Sequence, residues 1–217
     1  MRVIVAAIAH FDPLCRGRLH AWLQILLRTQ SSPPGFVAVE WDKDIFAAVK
    51  SQRPTVRQIA QSRWPQATPE FLDCLESAVA FEADTHASLA PEVDTLWLDH
   101  GRSLPYSDAI DSYAVDRVEV YASYIPPAAV TFDSALLKVM SVEAWNRLGA
   151  IQEGGTDRDP LFAQSIAKHP SRSVAEWAVA IVGARHASRD DGYMVQRLEA
   201  EGFTCEVTNL RPSPDAA

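Results

Sequence analysis

Apolar residues run without interruption from Val3 to Ala9; the run is β-branched at its start and closes in His10, Phe11 and Asp12. A continuous apolar run of strand length fits a strand buried on both faces of a parallel sheet. From Pro13 to about Thr29 the period changes. Leu14, Leu19, Trp22, Leu23, Ile25, Leu26 and Leu27 form a broad helical face, which Ser31-Ser32-Pro33-Pro34-Gly35 stops. Phe36–Val39 predicts a second strand ending in Glu40, so the chain opens with strand, helix and strand, the parallel crossover unit.

Between Asp42 and His86 helical patterns are broken at Pro54, Trp64-Pro65 and Pro69. The longest, Glu70 to about His86, puts Phe71, Leu75, Ala78, Val79 and Phe81 on or near one face, and it reads as core rather than as part of a site. Thr95–Leu98 predicts a third strand, closed by Asp99, His100 and Gly101. Helices are expected over Asp108–Tyr124 and Ser134–Leu148, separated by Pro126-Pro127, with another near Pro160–Lys168 after the break at Gly154-Gly155. Trp177–Val182 predicts a strand opening into Gly183-Ala184-Arg185-His186. A helix through Met194, Val195, Leu198 and Ala200 and a last strand, Phe203–Val207, follow. Strands alternating with helices imply an α/β fold: one domain over residues 1–211, a mostly parallel central sheet with helices on both faces, and a frayed tail over 212–217.

The length of 217 residues suits one domain, and the balance of Lys and Arg against Asp and Glu leaves a net charge of −8. A phosphate backbone would meet a surface of the wrong sign, so nucleic acid is not expected as a partner. Cys15, Cys74 and Cys205 are odd in number and far apart, with no CxxC pair, which fits buried thiols in a reduced, cytoplasmic setting. Met1-Arg2 before the first apolar run imitates a signal peptide, but no cleavage pattern follows. No window reaches the ~20 apolar residues of a membrane span, so no membrane is expected either. The oligomeric state is left open.

In open α/β sheets ligands bind outside the carboxyl ends of the strands. The polar residues that follow the predicted strands are His10, Glu40, Asp99 and His186. Any buried strand must surface in polar residues, yet two imidazoles and two carboxylates arriving at one sheet edge are the groups that hold a metal or share general acid–base work. A small residue stands three positions before each histidine, Ala7 and Gly183, where a tight turn lets a substrate approach the strand end. His20, His86 and His169 read as solvated or capping residues, and His100 as a neighbour of Asp99. Trp41, next to Glu40, is a candidate pocket wall.

The strand ending in a GxxH-like motif, the glutamate closing the second strand and the second GxxH near the C-terminus resemble the TraB/PrgY/Tiki-like group and its erythromycin-esterase-like and ChaN-like relatives. Val179–His186, with Asp191-Gly192 and Leu198 to Gly202, is similar to that group's ending; the first motif departs from it, since Ala7 stands where Gly is expected. The resemblance implies that His10, Glu40 and His186 are active-site residues, with Asp99 a less closely matched fourth.

Two mechanisms fit these residues. In one, His10, Glu40 and His186 bind a divalent ion (Mn, Co or Zn) whose bound water attacks an amide or ester carbonyl, as the Tiki-like resemblance implies for a peptide or small-molecule substrate. In the other, His10 or His186 is a metal-free general base and Glu40 fixes its tautomer, as the erythromycin-esterase-like resemblance implies. Arg185 or Arg102 would bind a substrate carboxylate or an oxyanion. A different class, implied by the ChaN-like resemblance, is a haem-type binding module with His10 or His186 as axial ligand. A metal-assisted hydrolase is the leading expectation. No phosphate loop, GxGxxG, GxSxG or HExxH pattern competes with it.

Overall fold

The structure is a computed structural model that describes residues 1–10, 12–99, 111–123, 125, 158–190 and 192–210. Among these residues five strands, β1 (Arg2–Ile8), β2 (Val37–Val39), β3 (Thr95–Trp97), β4 (Trp177–Gly183) and β5 (Thr204–Asn209), form one sheet in the order β3-β2-β4-β1-β5. Every pairing is parallel. β1 and β4 lie inside the sheet and carry the long apolar runs, as strands covered on both faces must.

Alternation along β1 sorts the interior into two cores. Ile4, Ala6 and Ile8 point into one, with Val37, Val39, Val179 and Ile181 from neighbouring strands. That core is covered by α1 (Cys15–Thr29), α2 (Lys43–Ser51), α3 (Arg53–Arg63), α4 (Pro69–Ser77), α5 (Phe81–Leu89) and α6 (Tyr113–Ala122). Val3, Val5 and Ala7 face the other, which α7 (Asp159–Ala167) and α8 (Met194–Ala200) close through Phe162, Ile166, Met194, Val195 and Leu198. The fold is a single-domain α/β layer structure with helices on both faces. Among the described residues no helix is long and apolar enough to cross a membrane.

One expected element divides. The helix predicted over Glu70 to about His86 is two helices, α4 and α5, because Ala80 takes a left-handed conformation at φ 51°. A non-glycine residue there is strained by roughly 1–2 kcal/mol. Arg53 grips the turn: its guanidinium donates to the Val79 carbonyl at 2.9 and 2.6 Å and to the Ala80 carbonyl at 2.9 Å. The break re-aims the chain that follows, including Glu82. The predicted helix over Ser134–Leu148 lies outside the described residues, as do parts of the one over Asp108–Tyr124.

The approach to β2 is close. A Cβ on Gly35 would sit 2.5 Å from the Ala175 Cβ and 3.0 Å from that of Ser171, while the Gly35 N–H donates to the Trp177 carbonyl at 2.9 Å. Gly35→Ala is therefore expected to lower stability by about 1–3 kcal/mol, the usual cost of overpacking, read as a fall in the urea midpoint at unchanged slope.

Candidate active site at the carboxyl ends of the strands

With all strands parallel, their carboxyl ends share one edge. In register, Ile8 pairs with Gly183, and Val39 lies between Ile181 and Trp97. β1 feeds α1 on the first core, whereas β4 feeds α8 on the second, so the chain leaves these neighbouring strands to opposite faces, the switch point beside which open α/β sheets bind ligands. The Glu40 N–H donates to the Ile181 carbonyl at 3.2 Å, which fixes the start of the β2 exit beside β4. A turn closed by the His186 N–H on the Gly183 carbonyl at 2.9 Å folds His186 back over it.

Glu40 is the hub. Its Oε2 accepts from the Gly183 backbone N–H at 2.5 Å and lies 3.2 Å from His10 Nε2. Its Oε1 lies 3.1 Å from His186 Nε2 and accepts from Arg158 Nη2 at 2.6 Å. Each imidazole holds a second carboxylate at its other nitrogen: His10 Nδ1 is 2.6 Å from Glu82 Oε1, and His186 Nδ1 is 3.1 Å from Asp159 Oδ1. Asp159 Oδ1 also accepts from the Met194 N–H at 2.7 Å, tying the start of α8 to the site. Arg158 Nη1 donates to Asp99 Oδ2 at 2.7 Å, and the guanidinium lies over the Phe162 ring. The four carboxylates and His186 are buried. The His10 side chain is 30% exposed and that of Arg158 21%, so these two meet solvent.

The electrostatics follow from this layering. Burial would lower the His10 imidazole, but the Glu40 and Glu82 carboxylates more than offset it and hold His10 well above its ordinary value. His186 feels the same opposition between burial and the carboxylates of Glu40 and Asp159, and is raised to about 9. Burial acts on Glu40 in the opposite sense, but the two imidazoles win and hold its carboxyl well below the usual range. Asp99 is raised, by burial first, against the pull of Arg158. The thiols stand outside this chemistry, since burial pushes Cys15 and Cys74 up to about 12 and Cys205 to about 11.

The structure thus brings together His10, Glu40, Asp99 and His186. Trp41 stands beside them, edge-on to the His10 ring at 6.4 Å between centroids, with its Nε1–H buried and unpartnered among the described residues. Arg185 is half-buried, and among the described residues its side chain joins no hydrogen bond or ion pair of the cluster, whereas that of Arg158 does. Arg102 and His100 lie outside the described residues. His169 caps the short 3-10 turn Pro170–Ser173 through the Ser171 N–H, whereas His86 is buried against the Val93 carbonyl rather than solvated.

Three members of the network are not visible from strand ends: Glu82, Arg158 and Asp159. A signal for Glu82 exists. Phe71, Leu75, Ala78 and Glu82 fall at helical spacing on one stripe, and a carboxylate on an apolar stripe needs a partner. Arg158 and Asp159 stand at the start of α7, where a charged pair before Pro160 reads as an ordinary helix start.

The expected metal ligands His10, Glu40 and His186 are paired with one another in this geometry. His10 Nε2 and His186 Nε2 are both turned onto the Glu40 carboxylate, at 3.2 and 3.1 Å. The Arg158 guanidinium already holds Glu40 Oε1 and Asp99 Oδ2. Among the described residues no group of three or more His, Cys, Asp and Glu is disposed to hold an ion such as Mn, Co or Zn.

Comparison of the chain with models of protein families, with curated proteins and with solved structures gave no match.

Proposed function

We propose that the chain is a hydrolase of ester or amide bonds in which His10 activates water without a metal. One observation carries this reading: His10 is the imidazole of the network that reaches solvent, and buried carboxylates hold both of its nitrogens. The resemblance of its strand-end motifs to erythromycin-esterase-like proteins supports the same reaction class.

In the reactive form His10 is neutral. Water oxygen attacks the carbonyl carbon, its proton passes to His10 Nε2, and the carbonyl electron pair moves onto oxygen. Collapse of the tetrahedral intermediate breaks the bond to the leaving alcohol or amine, which takes the proton from the imidazolium. Glu40 and Glu82 stabilise that imidazolium between the two steps, while Arg158, the other exposed member, offers its guanidinium to the developing oxyanion. His186, buried and held by Glu40 and Asp159, supplies fixed positive charge beneath.

The test uses p-nitrophenyl acetate, p-nitrophenyl butyrate and an acyl p-nitroanilide with chelator-treated protein. Hydrolysis is expected in the chelator, with His10→Ala lowering kcat/KM by about 10²–10⁴-fold. The neutral ring is the active form and folding raises its pKa, so kcat/KM is expected to climb with pH through neutrality and level off only on the alkaline side. Activity that disappears on chelation and returns with Mn, Co or Zn would overturn the metal-free mechanism. Absence of hydrolysis of all three probes, or His10→Ala at wild-type rate, would overturn the assignment.

A further inference from the structure

We infer that Glu82 is the positioning residue of His10: it holds the proton on Nδ1 and so leaves Nε2 as the nitrogen that exchanges a proton with water. The inference deepens the hydrolase reading, on which its kinetic arm rests. The Nδ1–Oε1 separation of 2.6 Å is shorter than the 3.2 Å from Nε2 to Glu40, so Glu82 makes the tighter bond to the ring. It is also the more dedicated one. Glu40 divides its carboxylate among His10, His186, Arg158 and Gly183, whereas Glu82 Oε2 is buried with no partner among the described residues and Oε1 serves His10.

A buried carboxylate with a single partner is costly unless that partner returns a charge or a proton, which an imidazole does. The backbone is arranged for the contact. α5 opens at Phe81, so Glu82 lies in its first turn, where the peptide dipoles favour negative charge. That opening exists because Ala80 is left-handed, and Arg53, which also pairs with Asp84 at 2.5 Å, holds the carbonyls of the break. A strained residue kept next to a site and clamped from outside it suits a part whose placement must not drift. The charged groups bearing on His10 are Glu82 from α5 and Glu40 from the β2 end, with Arg158 and His186 acting through Glu40.

The experiment compares wild type, Glu82→Gln and Glu82→Asp by two readouts. The first is the ¹⁵N spectrum of the neutral imidazoles, with His10 assigned by its loss in His10→Ala. Wild type is expected to carry its proton on Nδ1, Glu82→Gln to show a mixture of tautomers because the amide can also donate, and Glu82→Asp to keep the wild-type tautomer. The second is kcat/KM on p-nitrophenyl acetate, expected to fall about 10²-fold or more in Glu82→Gln, chiefly in kcat, and to recover in part in Glu82→Asp. A purely structural role would move neither tautomer nor the kcat-against-KM split. An unchanged His10 tautomer in Glu82→Gln overturns the inference; if that variant does not fold, a wild-type ring protonated on Nε2 does so. Failure of wild type to hydrolyse any probe sinks the hydrolase reading, and the tautomer readout still decides the role of Glu82.

Discussion

Gly183→Ala is expected to cut hydrolysis of p-nitrophenyl acetate by about 10²-fold while the thermal melt stays within a few degrees of wild type. The added Cβ would lie 3.0 Å from His10 Nε2 and 3.1 Å from Glu40 Oε2. Neither neighbour is a loose side-chain end. Glu40 Oε2 is pinned by the Gly183 N–H itself at 2.5 Å, and His10 is held from its far side by Glu82. The few tenths of an ångström that the methyl group requires must come from His10 Nε2 or from the carboxylate that faces it. Gly17→Ala is the matched control. Gly17 lies in α1 with nothing within 4 Å of a new Cβ, so that change is expected to stabilise by up to about 1 kcal/mol and leave the rate alone. Full activity in Gly183→Ala would remove the His10–Glu40 pair from the chemistry.

The largest effect on stability is expected from Glu40→Gln. It leaves two imidazoles and a guanidinium facing an uncharged amide in a buried layer, and breaking such a network by one partner costs about 3–5 kcal/mol. For a chain of this size that corresponds to a fall in Tm of roughly 6–20 °C. The pH dependence of wild type carries the same signature. His10 and His186 are raised by folding, so their contribution is complete below the unfolded value of about 6.5 and is lost as pH rises, for His186 through about 9. Glu40 is depressed by folding, so its contribution is present above about 4.3 and is lost as pH falls into the acid range. Melts across pH are expected to peak between about 4.5 and 6.5, with the alkaline slope flattened in Glu40→Gln. A wild-type Tm that climbs from pH 6.5 to 9 would contradict the ion pairing.

The order of strands and helices was legible because each strand announces itself physically. β1 and β4 are apolar throughout since both faces are covered, and the polar residues that close β1, β2, β3 and β4 meet because all pairings run the same way. His10, Glu40, Asp99 and His186 could be read as one group from that rule alone. What the rule cannot reach is a partner delivered by a helix. Glu82 depends on the left-handed Ala80, and no glycine marks the turn. Arg158 and Asp159 enter from the first residues of α7 and its cap, far in sequence from every strand end they serve. Those three set the surroundings of the strand-end residues, placing a guanidinium on Glu40 and a carboxylate on each Nδ1.

The strand order carries a consequence for how the chain reaches this state. β1 has β4 and β5 as its two neighbours, and these are built from residues 177–209. Its stretch of Val, Ile and Ala must wait for residues 177–209 before either of its edges is paired, and contacts of such long sequence separation slow folding and lengthen exposure to aggregation. Glu40, at the end of β2, likewise meets Gly183 and His186 only when β4 arrives. Nascent chains that stop short of β4 hold the helices of the first core and the carboxylates of the cluster, yet possess neither a paired β1 nor the assembled strand edge, so the fold and the candidate site mature together.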